Sequence, residues 1–234
     1  MSCRILIPAY RPDEKLLHLL ESLHESGLCG ILIVNDGSGP DSDGIFSEIQ
    51  ARWSHVTILS HDVNLGKGCA LKTGFRYLLE HAPDSMTCAV TADADGQHTV
   101  PDIQRILSEM ELAPGALVLG ARAFDGAVPF RSAFGNGLTR FLIRFLYGLR
   151  ISDTQTGLRG IPRSVMELCL EIPSGRYEFE LDMLLAAMSR GIEIRSVPIH
   201  TIYIDGNASS HFHPLRDSAR IYSVLFRNLF RRKR

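Results

Sequence analysis

Short apolar runs alternate with segments of helical periodicity along the first half of the chain. The runs RILIP, GILIV, HVTILS, MTCAVTA and ALVLGAR predict strands over residues 4–8, 30–34, 55–60, 86–92 and 116–122. Leucines on one face of residues 16–23, and the segments NLGKGCALKTGFRYLLE and VPDIQRILSEM, predict helices between the strands. Because apolar runs without alternation are buried on both faces, this order predicts an α/β fold with a mainly parallel central sheet flanked by helices.

The second half of the chain is less regular. Residues 130–150 have a basic, aliphatic helical pattern, residues 151–165 are typical of a strand or loop leading into a helix, and residues 177–205 predict a helix and then a strand. The tail is typical of an amphipathic helix and ends in RRKR. Since no linker or repeat interrupts the pattern, we predict one domain over residues 1–215 and a basic amphipathic C-terminal helix over residues 216–234.

Polar clusters follow four of the predicted strands. PAY follows the first strand, NDGS the second and DADGQ the fourth, while GAR closes the fifth. In parallel sheets of this kind, ligands bind at the carboxyl ends of the strands. We therefore expect these four segments to converge on one edge of the sheet and to form a site there.

The segment DADGQH carries two aspartates one residue apart. Asp93 and Asp95 offer hard carboxylate oxygens that suit Mg²⁺ or Mn²⁺ beside a diphosphate, and Gln97 adds a neutral oxygen two residues on. The alternative is a solvated acidic turn. An EF-hand is excluded, because His98 stands where the calcium loop requires glycine.

Two further loops suit a nucleotide ligand. In NLGKG, glycines and Lys67 lie at a loop-to-helix junction, where backbone N–H groups and an ammonium can meet phosphate, although the sequence is not a Walker A loop. In NDGS, Asp36 can accept a hydrogen bond from a base or a ribose hydroxyl, or it can form an Asx turn.

The composition excludes some classes of function. With a formal net charge of −1, the chain does not have the excess of basic residues that is typical of a nucleic-acid-binding protein, so we expect no nucleic-acid partner. The sequence has no signal-peptide pattern and no apolar stretch of about 20 residues. The five cysteines have no C-x-x-C spacing and are typical of core thiols in a reducing compartment. We therefore expect a cytoplasmic protein, either free or lying on a membrane.

The motifs together carry a family resemblance. IPAY, IVNDGS, NLGKGCALKTG, DADGQH, GAR and DTQTGLR occur in the order and approximate spacing of family 2 glycosyltransferases, and the chain resembles their polyprenyl-phosphate (dolichyl-phosphate-type) branch over residues 4–222. The resemblance implies a GT-A fold, a nucleotide-diphosphate sugar donor, a divalent cation and inversion at the anomeric carbon. The chain has PAYRPDE where many relatives have PAYNEE, so Glu14 is only a loose match for the acidic residue of their base pocket. The preference for UDP over GDP rests on the resemblance alone.

By position, the resemblance also implies roles on the donor side. The segment Pro8, Ala9 and Tyr10 would line the base pocket, and Asp36 would read the base. Lys67 would lie near the nucleotide. The remaining donor-side residues would contact the metal: Asp95 and Gln97 as ligands, and Asp93 between the metal and the ribose.

On the acceptor side, the resemblance implies two arginines and one carboxylate. Arg122 in GAR and Arg159 in GLR would contact phosphate, and Asp153 in DTQTG would lie near the reaction centre. A lipid phosphate is already anionic and needs little base catalysis, so Asp153 would then orient the acceptor. If the acceptor is a sugar hydroxyl, Asp153 is the candidate general base; a structural turn is its other interpretation.

The acceptor itself is inferred from basic amphipathic segments. Residues 138–150 and the C-terminal tail carry apolar faces bordered by arginines, which suit the surface of an anionic membrane or packing on the core. We predict a peripheral glycosyltransferase on the cytoplasmic face of the membrane that moves one sugar to polyprenyl phosphate, with a separate membrane protein as partner. The alternatives are a soluble transferase acting on a saccharide hydroxyl and a non-catalytic nucleotide-sugar-binding module.

Overall fold

The computed structural model describes residues 2–83, 85–122 and 156–200. Its strands are β1 Ser2–Ala9, β2 Ile31–Asn35, β3 Thr57–Ser60, β4 Met86–Thr91, β5 Leu117–Arg122, β6 Arg159–Pro162 and β7 Ile194–Ile199. Within the described residues they form one sheet in the order β3–β2–β1–β4–β6–β5–β7. Strand β6 is antiparallel to β4 and β5, and the other pairings are parallel. The predicted mainly parallel sheet is confirmed.

Helices connect most of the strands. They are α1 Glu14–Glu25, α2 Asp43–Arg52, α3 Lys67–His81, α4 Val100–Leu112, α5 Arg163–Leu170 and α6 Phe179–Ser189. Side chains cap two of the predicted helices: Asp13 accepts from the backbone N–H of Lys15 before α1, and Thr99 accepts from that of Asp102 in α4. The pattern NDGSGPDSDG indicated only a loop, so α2 is an addition to the sequence interpretation.

The core lies on both faces of the sheet. Leu6 and Leu32 pack with α3, α5 and α6 on one face, whereas Ile7 and Ile33 pack with α1, α2 and α4 on the other. Because successive residues of a strand point to opposite faces, a strand between two helical layers must be apolar at every position. This burial explains the unbroken apolar runs in the sequence.

The cysteines differ from the sequence expectation at one pair. Cys3 on β1 and Cys88 on β4 are direct cross-strand partners and form a disulfide, where free core thiols were predicted. The parallel register accounts for the pairing, because it places their Cα atoms 4.8 Å apart. Cys29, Cys69 and Cys169 are free, as predicted, although Cys29 is exposed.

Strand directions decide which loops meet. The parallel strands β1, β2, β4 and β5 end at one edge of the sheet, and the antiparallel strand β6 begins there, with Arg159 opposite Thr91. The predicted helical segment at 130–150 and the C-terminal helix at 216–234 lie outside the described residues. None of the described helices combines the length and the apolar character that a bilayer span requires.

Candidate active site

A lysine between two carboxylates lies at the carboxyl edge of the sheet. The Lys67 Nζ atom is 2.7 Å from Asp93 Oδ1 and 3.2 Å from Glu180 Oε1. On its other side, Asp93 Oδ2 is 3.3 Å from His98 Nε2. The side chains of Lys67, Asp93 and Glu180 are 17%, 26% and 10% exposed, so water screens these charges only in part.

Three chain segments bring these groups together. Lys67 is the first residue of α3, Asp93 follows β4, and Glu180 lies in the first turn of α6. Gly66, just before α3, has a φ of 104°, a conformation that favours glycine. A Cβ atom there would also overlap Gly175 and Arg176. The backbone N–H of Cys69 donates to the Gly175 carbonyl at 2.9 Å and fixes α3 to the segment before α6.

The charges in this cluster shift one another's titration. Burial alone would lower the pKa of Lys67, but the carboxylates of Asp93 and Glu180 outweigh it and raise that pKa above its usual range. Burial would likewise raise the pKa of Asp93, yet Lys67 and His98 hold it well below its usual range. The lysine and the Asp93 carboxylate therefore both stay charged near neutral pH.

Asp95 has no such partner. Its Oδ1 accepts a hydrogen bond from the backbone N–H of Gln97 at 3.0 Å, and within the described residues its carboxylate makes no ion pair. Burial, together with the negative charge of Asp93, raises the pKa of Asp95. A bound cation would stabilise this carboxylate, because burial and the neighbouring Asp93 charge both disfavour its ionised form. The residues present therefore fit the Mg²⁺ or Mn²⁺ that the sequence indicates.

Gly157, from the DTQTGLR motif, lies directly against the Asp93 carboxylate. A Cβ atom at Gly157 would overlap both carboxylate oxygens. The Gly157 carbonyl in turn accepts a hydrogen bond from the Thr91 hydroxyl at 2.7 Å, which fixes this backbone to the end of β4. The absence of a side chain at Gly157 thus leaves the space that Asp93 occupies.

Substituting Gly157 with alanine is expected to push the Asp93 carboxylate away from Lys67. We expect a loss of about 2 kcal/mol in unfolding free energy from the overlap, and about tenfold lower glycosyltransferase activity. Urea unfolding and initial-rate assays measure the two effects. Gly115→Ala is the matched control, because a Cβ there meets no atom within 4 Å. Equal behaviour of the two variants would contradict the packing argument.

Asp36 is placed differently from the other predicted donor-side residues. It is 2% exposed. Its carboxylate accepts hydrogen bonds from His61 Nδ1 at 2.7 Å, Asn64 Nδ2 at 3.0 Å, and the backbone N–H groups of Leu65 at 3.0 Å and Gly66 at 2.8 Å. In this structure Asp36 anchors the loop that leads into α3, and reading of a base by Asp36 stays a prediction.

The segment at the end of β1 adjoins the NDGS loop, as expected. The Asp36 backbone N–H donates to the Ala9 carbonyl at 2.8 Å, and the Arg11 N–H donates to the Ser38 hydroxyl at 3.0 Å. Pro8 pairs with Val34 in the sheet. Tyr10 is half-buried at this edge. The structure therefore brings Pro8, Ala9 and Tyr10 next to the loop that Asp36 anchors.

The acceptor-side residues are less fully described. Arg122 is the last residue of β5, Asp153 lies outside the described residues, and Arg159 begins β6. Arg159 is 1% exposed and donates to the carbonyl oxygens of Thr156 at 2.9 Å and Glu180 at 2.6 Å. The buried Arg159 side chain therefore links the backbone of Thr156 to that of Glu180. Its contact with phosphate stays a prediction.

Three residues of the cluster were not assigned from the sequence. Glu180 follows phenylalanine in a mostly apolar helix, and the available signal was the two acids, Glu180 and Asp182, inside the run FELDMLL. Gly157 belongs to the DTQTG motif, but nothing in the sequence indicated its contact with Asp93. His98 is buried, and its Nδ1 atom has no hydrogen-bond partner within the described residues.

Comparisons with known proteins agree with the fold and the motifs. The sequence profile of glycosyl transferase family 2 matches residues 4–169. A UDP-N-acetylglucosamine–dolichyl-phosphate N-acetylglucosaminyltransferase of Methanococcus voltae is 28% identical over 219 residues, covering 86% of this chain and 86% of that protein. An undecaprenyl-phosphate mannosyltransferase of Micrococcus luteus is 28% identical over 201 residues, covering 83% and 81%.

A solved structure extends the agreement to the fold. Glucosyl-3-phosphoglycerate synthase from Mycobacterium tuberculosis, crystallised with Mn²⁺, UDP and phosphoglyceric acid, superposes with a TM-score of 0.69 at 19% identity, covering 97% of this chain and 78% of that one. The predicted GT-A fold is confirmed. The protein is thus a glycosyltransferase that belongs to glycosyl transferase family 2, and within that family it resembles the polyprenyl-phosphate branch.

Proposed function

We propose that this glycosyltransferase moves a single sugar from a nucleotide-diphosphate sugar to a polyprenyl phosphate, with inversion at the anomeric carbon. The observation that carries the proposal is the difference between the two aspartates of DADGQH. Lys67 forms an ion pair with Asp93, whereas no described side chain forms an ion pair with Asp95. The names of the two relatives, which act on dolichyl and undecaprenyl phosphate, support the acceptor class.

Asp95, Gln97 and Asp93 are the residues that would hold a divalent cation. Bound Mg²⁺ or Mn²⁺ supplies positive charge for the diphosphate that leaves the sugar. Lys67 fixes the Asp93 carboxylate and leaves the Asp95 carboxylate available. The same loop thus carries the Asp93 carboxylate, oriented by Lys67, and the Asp95 carboxylate, which is available to coordinate a cation. This arrangement suits a cation and a ribose bound side by side.

The acceptor phosphate would attack the anomeric carbon from the face opposite the leaving diphosphate. Because a phosphate monoester is anionic near neutral pH, its attack needs little proton transfer, and Asp153 would orient it. Arg122 ends a strand at the same edge of the sheet as Asp93 and would meet the acceptor phosphate with Asp153. UDP is the preferred nucleotide of the donor.

We propose that the enzyme acts at a membrane surface, on its cytoplasmic face, because a polyprenyl-phosphate acceptor is embedded in the bilayer. The basic amphipathic helix proposed at 216–234 would bind the headgroup region. A separate membrane protein is a further proposed partner. In liposome flotation, wild-type protein should float with anionic vesicles and lose most of that binding when residues 228–234 are removed; absence of binding at any salt concentration would contradict membrane attachment.

A donor screen tests the proposed reaction. Nucleoside diphosphate release is followed with UDP- and GDP-sugars, Mn²⁺ or Mg²⁺, and a short polyprenyl phosphate as acceptor. We expect turnover with one donor that depends on both the cation and the lipid phosphate. A parallel arm with saccharide hydroxyl acceptors tests the soluble alternative. Turnover in that arm alone would overturn the proposed acceptor, and donor binding without turnover in any arm would overturn the proposed activity.

A further inference from the structure

A second cluster of metal-ligating side chains lies at the opposite edge of the sheet. His24 is in the last turn of α1, Cys29 precedes β2, and His55 lies between α2 and β3. All three side chains are exposed, and one ligand atom from each lies within 4.8 Å of the other two. We propose that His24, Cys29 and His55 form a binding site for a borderline-soft divalent cation, Zn²⁺.

The donor set selects this class of ion. Two imidazole nitrogens and one thiolate sulfur are ligands that suit zinc, whereas Mg²⁺ and Mn²⁺ prefer the oxygens found at the carboxyl edge. Three protein ligands leave the fourth tetrahedral position for water. The two ends of the sheet therefore offer cation sites of opposite chemical preference.

The distances allow all three groups to bind one ion. Tetrahedral zinc with nitrogen and sulfur ligands places its ligand atoms about 3.3 to 3.6 Å apart. The observed limit of 4.8 Å lies about an ångström outside that range, which rotation of exposed side chains can cover. The His24 and His55 rings already face each other, with centroids 5.3 Å apart and planes inclined by 24°.

The backbone positions of the three ligands are well fixed. His24 follows the buried Leu23, and His55 precedes the buried Val56, whose N–H donates to the Trp53 carbonyl at 3.0 Å. Gly27 closes α1 by donating to the His24 carbonyl at 2.9 Å. Because the backbone is anchored at these positions, metal binding would have to order only the exposed side chains.

The ligand atoms are also available. Cys29 is a free thiol, and within the described part of the chain neither it nor the two histidines makes a side-chain hydrogen bond or an ion pair. A bound ion would join the connection between α1 and β2 to the connection between α2 and β3. It would do so without contact with Lys67, Asp93 or Asp95, because those residues lie at the other edge.

Cobalt titration of the full-length protein tests the site. Co²⁺ replaces zinc in such sites, and a thiolate ligand gives it a charge-transfer absorption in the near ultraviolet that oxygen ligands do not give. We expect this absorption to saturate at one equivalent and to disappear when Zn²⁺ is added in excess. It should be lost in Cys29→Ser and need at least tenfold more Co²⁺ in His55→Ala.

Two controls keep the result specific. His18→Ala removes an exposed histidine of the same helix and should leave the titration unchanged. Asp95→Asn should also leave it unchanged, which separates this site from the proposed catalytic cation. Absorption that persists in Cys29→Ser, or no absorption in the wild-type protein, would overturn the proposal. A measurement without any variant is alkylation of Cys29 in wild-type protein, which Zn²⁺ should slow; an unchanged rate would likewise count against the site.

Discussion

Replacing Lys67 with methionine is expected to lower the free energy of unfolding by about 3 kcal/mol. The lysine lies between Asp93 and Glu180, and its removal takes away the cation that these two largely buried carboxylates share. Urea unfolding at pH 7 in the presence of a chelator measures the loss. Catalysis should fall as well, because Asp93 loses the contact that fixes its orientation.

The control for this variant is a lysine with one exposed partner. Lys15 lies 3.3 Å from Asp13, whose side chain is 56% exposed, so Lys15→Met should change the unfolding free energy by about 0.5 kcal/mol or less. Combining Lys67→Met with Glu180→Gln removes a buried charge together with its partner. The double variant should therefore lose about 1 kcal/mol less unfolding free energy than the two single losses added together. Strict additivity of the two losses would contradict an interaction between Lys67 and Glu180.

Replacing Asp95 with asparagine is expected to have the opposite effect on stability and a severe effect on activity. Burial and Asp93 both disfavour the Asp95 carboxylate, so the neutral amide should leave the metal-free protein as stable as the wild type or slightly more so. Glycosyltransferase turnover should fall about 1000-fold, because a charged ligand of the proposed cation is lost. Thermal unfolding with chelator and turnover against Mn²⁺ concentration measure the two effects.

Glu111→Gln provides the comparison for Asp95→Asn. Glu111 is an exposed carboxylate near the end of α4, and its neutralisation should alter neither turnover nor its dependence on Mn²⁺. Wild-type turnover in Asp95→Asn would overturn its assignment as a metal ligand. A large loss of stability in that variant would show instead that Asp95 is a structural residue.

The sequence predicted the parts of the fold that depend on local pattern. Unbroken apolar runs mark strands buried on both faces, and the five strands predicted from them occur in the structure within a few residues of the predicted bounds. Helix α2 was not predicted, because its segment begins with turn residues and buries only Phe46 and Ile49. The sheet edge where the motifs meet followed from strand direction alone.

Contacts between distant segments could not be predicted in this way. Lys67 was expected near a nucleotide, but its two carboxylate partners are 26 and 113 residues away in sequence, and nothing local indicates such a pairing. For Asp36, the residue type fits both a base contact and a loop anchor. The choice between them depends on where the backbone N–H groups of Leu65 and Gly66 point, which the folded chain determines.

The reversed direction of β6 has a consequence for how acceptor choice can change. Strand β5 ends at Arg122 and β6 begins at Arg159, both at the edge of the sheet where Asp93 follows β4. Both attachment points are held by pairing with neighbouring strands, as Arg122 pairs with Ile199 and Arg159 with Thr91. Because both flanking strands are paired, we expect exchange of residues 123–155 to leave the strand register unchanged. Since the proposed acceptor-side residue Asp153 belongs to this part of the chain and Arg122 directly precedes it, we expect chimeras that graft residues 123–155 from relatives to change the acceptor and keep the donor site.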